Sequence, residues 1–303
     1  MDKLPAKKQG GGFLLRILPA VLVILVAVAI ALVILTHRLM HPRAVPETVS
    51  PSQYLMPLTD AAWVLPEGTP TAGWWIPGRT KKMSAIVLVP GYGMGRADLI
   101  SLAVTLWQTG FSVLVYDLRA SGAAPQGAGT FGLRETDDLL AALDYLKSRI
   151  PSNAGQVGIW GADVGARAAL RAAASRREVS AIVADSVFEF TDDFIRLRLS
   201  EDLGVRNREL GSTCIAMFRV YLRAIHVTAD EKFSLDALAG RKLLLIQGVN
   251  RPELAAYTAE IYGRLPPGNQ LLKLPVARMR NMTSEEVTSY DRKVADFFSA
   301  NLP

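Results

Sequence analysis

The sequence predicts an α/β architecture, a mostly parallel sheet with helices on both faces, preceded by one long apolar helix. Three observations carry this. Short continuous apolar runs such as Ala85-Ile-Val-Leu-Val89 have the character of strands buried on both sides. Helix-period stretches separate them in regular alternation. Ile17 to Leu35 is a run of 19 apolar positions containing Pro19, about 28 Å as a helix and close to the ~30 Å hydrocarbon core of a bilayer.

The N-terminal run divides the chain. Lys3, Lys7, Lys8 and Arg16 precede it against a single Asp2, and Arg38 and Arg43 follow. The basic bias assigns residues 1–12 to a cytoplasmic tail and 13–36 to a single transmembrane signal-anchor helix, with the main domain outside the cytoplasm. A cleaved signal peptide is the competing reading. Against it, the run is longer than a usual signal core, and Ala27-Val-Ala29 falls inside it rather than after it. Residues 37–57, with Pro42, Pro46, Pro51 and Pro57, read as a tether lifting the domain at 58–303 off the membrane.

Net charge follows the same division. Of the formal +6, the first 36 residues supply +3, so the remainder, 30 basic against 27 acidic, is nearly balanced. No basic run with interleaved aromatics appears, which excludes nucleic acid as a natural partner. Cys214 is the single cysteine and cannot form an internal disulfide. No cofactor or metal site is indicated, and no protein partner is specified. The membrane is the partner that the sequence names.

Within 58–303 the elements follow in order. Trp63-Val-Leu and Gly73-Trp-Trp-Ile76 open the domain as antiparallel strands joined at Pro66-Glu-Gly-Thr-Pro70. The strand at 85–89 leads to a helix over 97–109, then a strand at 112–116 and a helix over 135–148. Strand 156–160 precedes a helix over 164–175, and strand 181–184 follows. About 55 residues of mixed character come next, of which 187–241 reads as a lid-like insert with a helix near 217–225. Strands at 242–246 and 270–274, and helices at 253–264 and 285–300, complete the domain.

The most informative segment is Gln156-Val-Gly-Ile-Trp-Gly-Ala-Asp-Val-Gly-Ala-Arg-Ala-Ala-Leu170: a buried strand, a sharp turn and an alanine-rich helix. Its centre, Gly161-Ala162-Asp163-Val164-Gly165, has the G-x-S-x-G pattern with aspartate at the serine position. An apex residue takes positive φ, which aspartate tolerates, and the flanking glycines let strand and helix approach. The same aspartate suits a helix N-terminus, so a turn and cap role needs no chemistry.

With this segment, Val89-Pro-Gly-Tyr-Gly-Met-Gly95, Tyr116-Asp-Leu-Arg-Ala-Ser-Gly122, Val183-Ala-Asp-Ser-Val-Phe188 and Leu244-Leu-Ile-Gln-Gly248 occur in an order that resembles the α/β-hydrolase superfamily over nearly all of 58–303. The resemblance implies an α/β-hydrolase fold, a nucleophile position at Asp163, and oxyanion donors at the backbone of Tyr92 and Val164. Relatives with aspartate at the elbow, haloalkane dehalogenases and epoxide hydrolases, form an alkyl ester that a histidine-activated water cleaves.

That second step decides the functional expectation. The three histidines are His37, His41 and His226; none follows the last strand, where Met279 or Arg280 takes the place of the base and neither can act as one. Arg251 stands where the acid is expected, leaving Asp185 or Glu189. An acid with no imidazole to orient has no catalytic purpose.

The resulting expectation is a membrane-anchored pseudo-hydrolase that binds a small molecule in its inherited pocket. Two alternatives remain. One is a dehalogenase-like or epoxide-hydrolase-like enzyme using Asp163 with an unrecognised base, for which His226 is a candidate; the other is an esterase or peptidase with an unusual triad. Glu135, Asp137 and Asp138 read as acidic residues at a helix start, and Arg167, Arg171, Arg176 and Arg177 as a solvated face. Trp63, Trp74 and Trp75 read as core or as a surface toward lipid or a partner.

Overall fold

A computed structural model describes residues 11–42, 51–79, 84–120, 127–150, 156–228, 235–277 and 282–303, with side chains described from Ile17 onward in the first segment. Its sheet has eight strands: β1 (Thr59–Val64), β2 (Pro70–Ile76), β3 (Ala85–Val89), β4 (Ser112–Tyr116), β5 (Val157–Ala162), β6 (Val179–Asp185), β7 (Lys242–Gly248) and β8 (Gln270–Leu274). Their spatial order is β1-β2-β4-β3-β5-β6-β7-β8. β1 pairs antiparallel with β2, and β2 with β4; the other pairs are parallel.

Alternation within β3 shows why its sequence is uniformly apolar. Ala85, Val87 and Val89 enter one core, while Ile86 and Leu88 enter the other. Helices α3 (Arg134–Lys147), α4 (Val164–Ser175) and α7 (Pro252–Gly263) cover the first face. Helices α2 (Ile100–Gln108) and α8 (Ser284–Asn301) cover the second. Trp74 and Trp75 are buried on opposite faces as core, while Trp63 is half-buried, stacking on Tyr145 at 4.9 Å.

Helix α1 (Gly11–Met40) begins before and ends after the span expected at 13–36. Its segment Ile17–Met40, 24 residues and about 36 Å, is long and apolar enough to cross a membrane. Most of it is exposed, but Thr36, Leu39 and Met40 are buried in the domain. The expected tether at 37–57 is therefore corrected at its start: its first residues are helix, with Leu39 and Met40 packed into the core. The reason is chemical degeneracy, because an apolar side chain suits lipid and protein core alike. The 43–50 stretch lies outside the described residues; Pro51–Tyr54 forms one 3₁₀ turn.

The segment read as a lid holds α5 (Asp192–Leu203) and α6 (Arg208–Ala224). Thr191 and Asn207 cap them, accepting from Phe194 N–H and Leu210 N–H. Phe188, Phe194, Ile195, Leu199, Cys214, Ile215, Phe218 and Leu222 carry this pair into the core shared with α1.

Candidate active site

The turn between β5 and α4 places Asp163 at φ 55°, ψ −114°, the strained apex its sequence predicts. Crowding explains the flanking glycines. A Cβ on Gly161 would stand 2.4 Å from the Gly165 carbonyl oxygen, and one on Gly165 would stand 2.4 Å from that of Pro90. Asp163 N–H donates to the Asp185 carbonyl at 2.8 Å, tying the apex to the end of β6. The side chain does not cap α4; it turns instead to an arginine.

Arg198 of α5 is fully buried and brings Nη1 to 3.4 Å from Asp163 Oδ2. Asp163 itself is 4% exposed, and neither of its oxygens has a hydrogen-bond donor, so the contact is an ion pair. The same guanidinium reaches Asp202 at 3.0 Å and Glu201 at 3.8 Å, and lies 4.3 Å from the centroid of the Tyr92 ring. Burial pulls the Arg198 pKa down, but Asp163, then Asp202, Tyr92 and Glu201, outweigh it and hold the guanidinium above its ordinary value. Glu201 also binds Arg251. A chain of alternating charges, Asp163–Arg198–Glu201–Arg251, thus occupies the site, and Arg251, sought as an acid, is one of its cations.

Sequence reasoning missed Arg198. A signal was present: Phe194, Ile195, Arg198 and Leu199 fall on one helical stripe, so an arginine there is carried inward. Arg167 corrects the solvated-face reading in the same way. It is 1% exposed, donates to the Phe131 carbonyl at 3.3 Å and lies over Phe190. Arg176 pairs with Asp144 at 2.7 Å, and Arg177 is exposed.

Tyr92 and Val164, the expected oxyanion positions, come together around a void of about 10 Å³, with Pro42, Leu118, Ala120, Gly129, Phe131 and Glu135. That holds about one water. Among the described residues, the void at this position is too small for an organic ligand. Phe131 stacks on Tyr92 at 5.6 Å and meets Phe194 and Phe218 edge-on. From the other side comes α1: Tyr92 Oη donates to the Leu39 carbonyl at 2.9 Å, and Gly129 N–H donates to that of Met40 at 2.7 Å. These bonds satisfy carbonyls that a helix C-terminus leaves without partners.

An α/β hydrolase fold family model matches residues 84–211. An esterase from Pyrococcus furiosus superposes with TM-score 0.66 at 21% identity, covering 87% of this chain and 98% of its own. An α/β hydrolase from a Penicillium species gives 0.60 at 17%, covering 81% and 99%. A dienelactone hydrolase from Anabaena variabilis gives 0.55 at 19%, again covering 81% and 99%. The chain is an α/β-hydrolase-fold protein. No curated protein matches it in sequence.

The two carboxylates considered as the acid, Asp185 and Glu189, are engaged elsewhere. Asp185 is buried, accepting from Ser186 Oγ and Tyr290 Oη at 2.8 Å each; Tyr290 in turn accepts from Trp160 Nε1 at 3.0 Å. Glu189 pairs with Arg264 at 2.7 Å. His226 is exposed at φ 56° just beyond α6, and no hydrogen bond joins it to Asp163 among the described residues. His37 and His41 stack on each other at the end of α1. Met279 and Arg280 lie outside the described residues. No group of His, Cys, Asp or Glu suited to a metal occurs among the described residues.

The acidic start of α3 is built into the fold. Glu135 accepts from Thr130 N–H, Thr130 Oγ1 and Gly132 N–H at 2.7–2.8 Å. Asp138 binds Arg119 through both oxygens, and Arg119 also reaches Glu67 at 2.8 Å. These pairs fix the loops after β4 and before α3, while Asp137 stays exposed.

Proposed function

We propose that this α/β-hydrolase-fold protein is a non-catalytic, membrane-anchored member that keeps the elbow as architecture. The observation that carries the reading is the buried Asp163–Arg198 ion pair. A carboxylate nucleophile must approach a carbon with its lone pairs open, and it needs a base for the second half-reaction. Here the carboxylate faces a guanidinium that stays protonated, beside a void of about 10 Å³. A negative charge next to Tyr92 and Val164 also opposes any oxyanion formed there.

The esterase and dienelactone hydrolase activities belong to the neighbours; at 21% and 19% identity they lend this chain their fold alone. Binding partners of such a protein would use its surface, for example the groove of about 560 Å³ between β1 and α3 lined by Trp63, Val64, Leu140 and Tyr145. Retention of the N-terminal helix is supported by its continuity, through Leu32 and Leu35, into Leu39 and Met40, which complete the core. The basic residues before Ile17 favour an external domain.

The test is to incubate the purified full chain with ester, haloalkane and epoxide panels, following turnover and the mass of the peptide carrying Asp163. The expected result is neither turnover nor adduct, and no gain of ester hydrolysis in Asp163→Ser. Multiple-turnover cleavage that disappears in Asp163→Asn overturns the reading in favour of an aspartate nucleophile.

A further inference from the structure

Two turns of α1 rest on the α5–α6 pair. Leu32 and Leu35 pack against the core that Thr36, Leu39 and Met40 enter, and Thr36 Oγ1 lies 4.0 Å from Met217 Sδ of α6. Arg16 and Arg38 bracket the apolar part of α1 at a separation of about 33 Å along a helix, close to one hydrocarbon thickness. Leu32 lies about 9 Å inside Arg38 on the same scale. With α1 spanning a bilayer, the part of α6 beside it therefore stands at the boundary between hydrocarbon and headgroups.

The outward face of α6 at that place has matching chemistry. Ala216, Val220 and Arg223 are exposed and spaced i, i+4, i+7, so they share one face. Val220 is 62% exposed, an apolar side chain with no packing role in the domain. The guanidinium groups of Arg223 and Arg38 make no hydrogen bond or ion pair with described residues. An exposed valine one turn from an uncommitted arginine, beside a membrane helix, is the pattern of an interfacial surface.

We propose that α6 lies against the bilayer through Ala216, Val220 and Arg223, with Val220 at the acyl boundary and Arg223 and Arg38 on the phosphates of anionic phospholipids. The proposal rests on the reading of α1 as a membrane span. It adds that the domain is seated on the lipid surface rather than held above it.

The experiment uses the full chain in a Cys214→Ala background, with single cysteines at Leu25→Cys, Val220→Cys or Lys242→Cys. Each is labelled with a nitrobenzoxadiazole fluorophore and reconstituted into phosphatidylcholine vesicles with or without phosphatidylglycerol, both containing doxyl-labelled lipid. Leu25 reports the span, and exposed Lys242, at the N-terminal start of β7, reports bulk water. The expected result is quenching and a blue shift at 25 and 220 but not at 242. Omitting phosphatidylglycerol, or making Arg38→Gln with Arg223→Gln, weakens the effect at 220 and leaves 25 unchanged. Quenching at 25 with water-like emission at 220 overturns the proposal while the span stands; absence of quenching at 25 overturns both. Protection of position 220 from a water-soluble maleimide without lipid quenching reports a second protein copy on this face and also overturns it. Equal quenching at 220 in both vesicle types overturns the assignment of anionic headgroups.

Discussion

Arg198→Met isolates the energetics of the remodelled elbow. At 3.4 Å and an effective dielectric constant of about 20, the Asp163–Arg198 attraction is about 5 kcal/mol before desolvation is subtracted. Both groups are buried, so most of that attraction offsets the loss of water. Removing the arginine alone leaves the Asp163 carboxylate buried with no hydrogen-bond donor on either oxygen. The expected loss is about 3–5 kcal/mol. Asp163→Gly is milder, because Arg198 keeps Asp202 at 3.0 Å and glycine relieves the positive φ at the apex. The double variant, with neither charge at the pair, should recover at least half of the Arg198→Met loss, a coupling of about 2 kcal/mol or more. Urea unfolding of the full chain in detergent, followed by tryptophan fluorescence at constant m-value, measures all three. Losses that simply add, or an Arg198→Met variant as stable as the parent, refute the ion-pair account.

Four further outcomes follow from other parts of the fold. Leu39→Ala should cost about 2–5 kcal/mol, and Tyr92→Phe about 1–3 kcal/mol by leaving the Leu39 carbonyl without its donor, both read from urea midpoints. Gly165→Ala places a Cβ 2.4–2.5 Å from the Pro90 and Val89 carbonyl oxygens, so the variant should fail to reach a protease-resistant state. Asp291, buried with Ser101 Oγ at 2.6 Å and nothing on its other oxygen, has its pKa pushed up by burial to about 6. The folded state therefore holds this proton more tightly than the unfolded chain, and the group's penalty is absent below about pH 4, grows from about pH 4 to 6 and is constant above. Asp291→Asn should raise stability at pH 8 by about 2–3 kcal/mol and flatten that part of the pH profile, as seen in midpoints measured from pH 4 to 8.

Local patterns made the scaffold legible. The helix at Val164–Ser175 and the strand at Gln270–Leu274 fall where periodicity places them, and the conformation of Asp163 follows from the spacing of Gly161 and Gly165. Long-range partnership was less legible. Arg167 reads as a solvent-facing charge and Arg198 goes unnoticed, because composition speaks of charge and not of what stands opposite. Burial of Arg167 depends on the small residues around it, since Ala166, Ala168, Ala169, Ala172 and Ala173 let α4 approach its neighbours closely. The end of α1 was hidden for the opposite reason: Leu32, Leu35, Leu39 and Met40, which meet the domain, are apolar like the residues that leave it.

The bonds from Tyr92 and Gly129 to the last carbonyls of α1 bear on how a soluble version should be cut. A fragment starting after Met40 looks like a natural globular unit, yet it would open a trough floored by Phe131, Phe194 and Phe218 and strip two donors of their acceptors. Such a fragment is set up to aggregate. A truncation beginning near Leu32, with exposed Val33 and Ile34 exchanged for polar residues, retains the stopper that closes the trough.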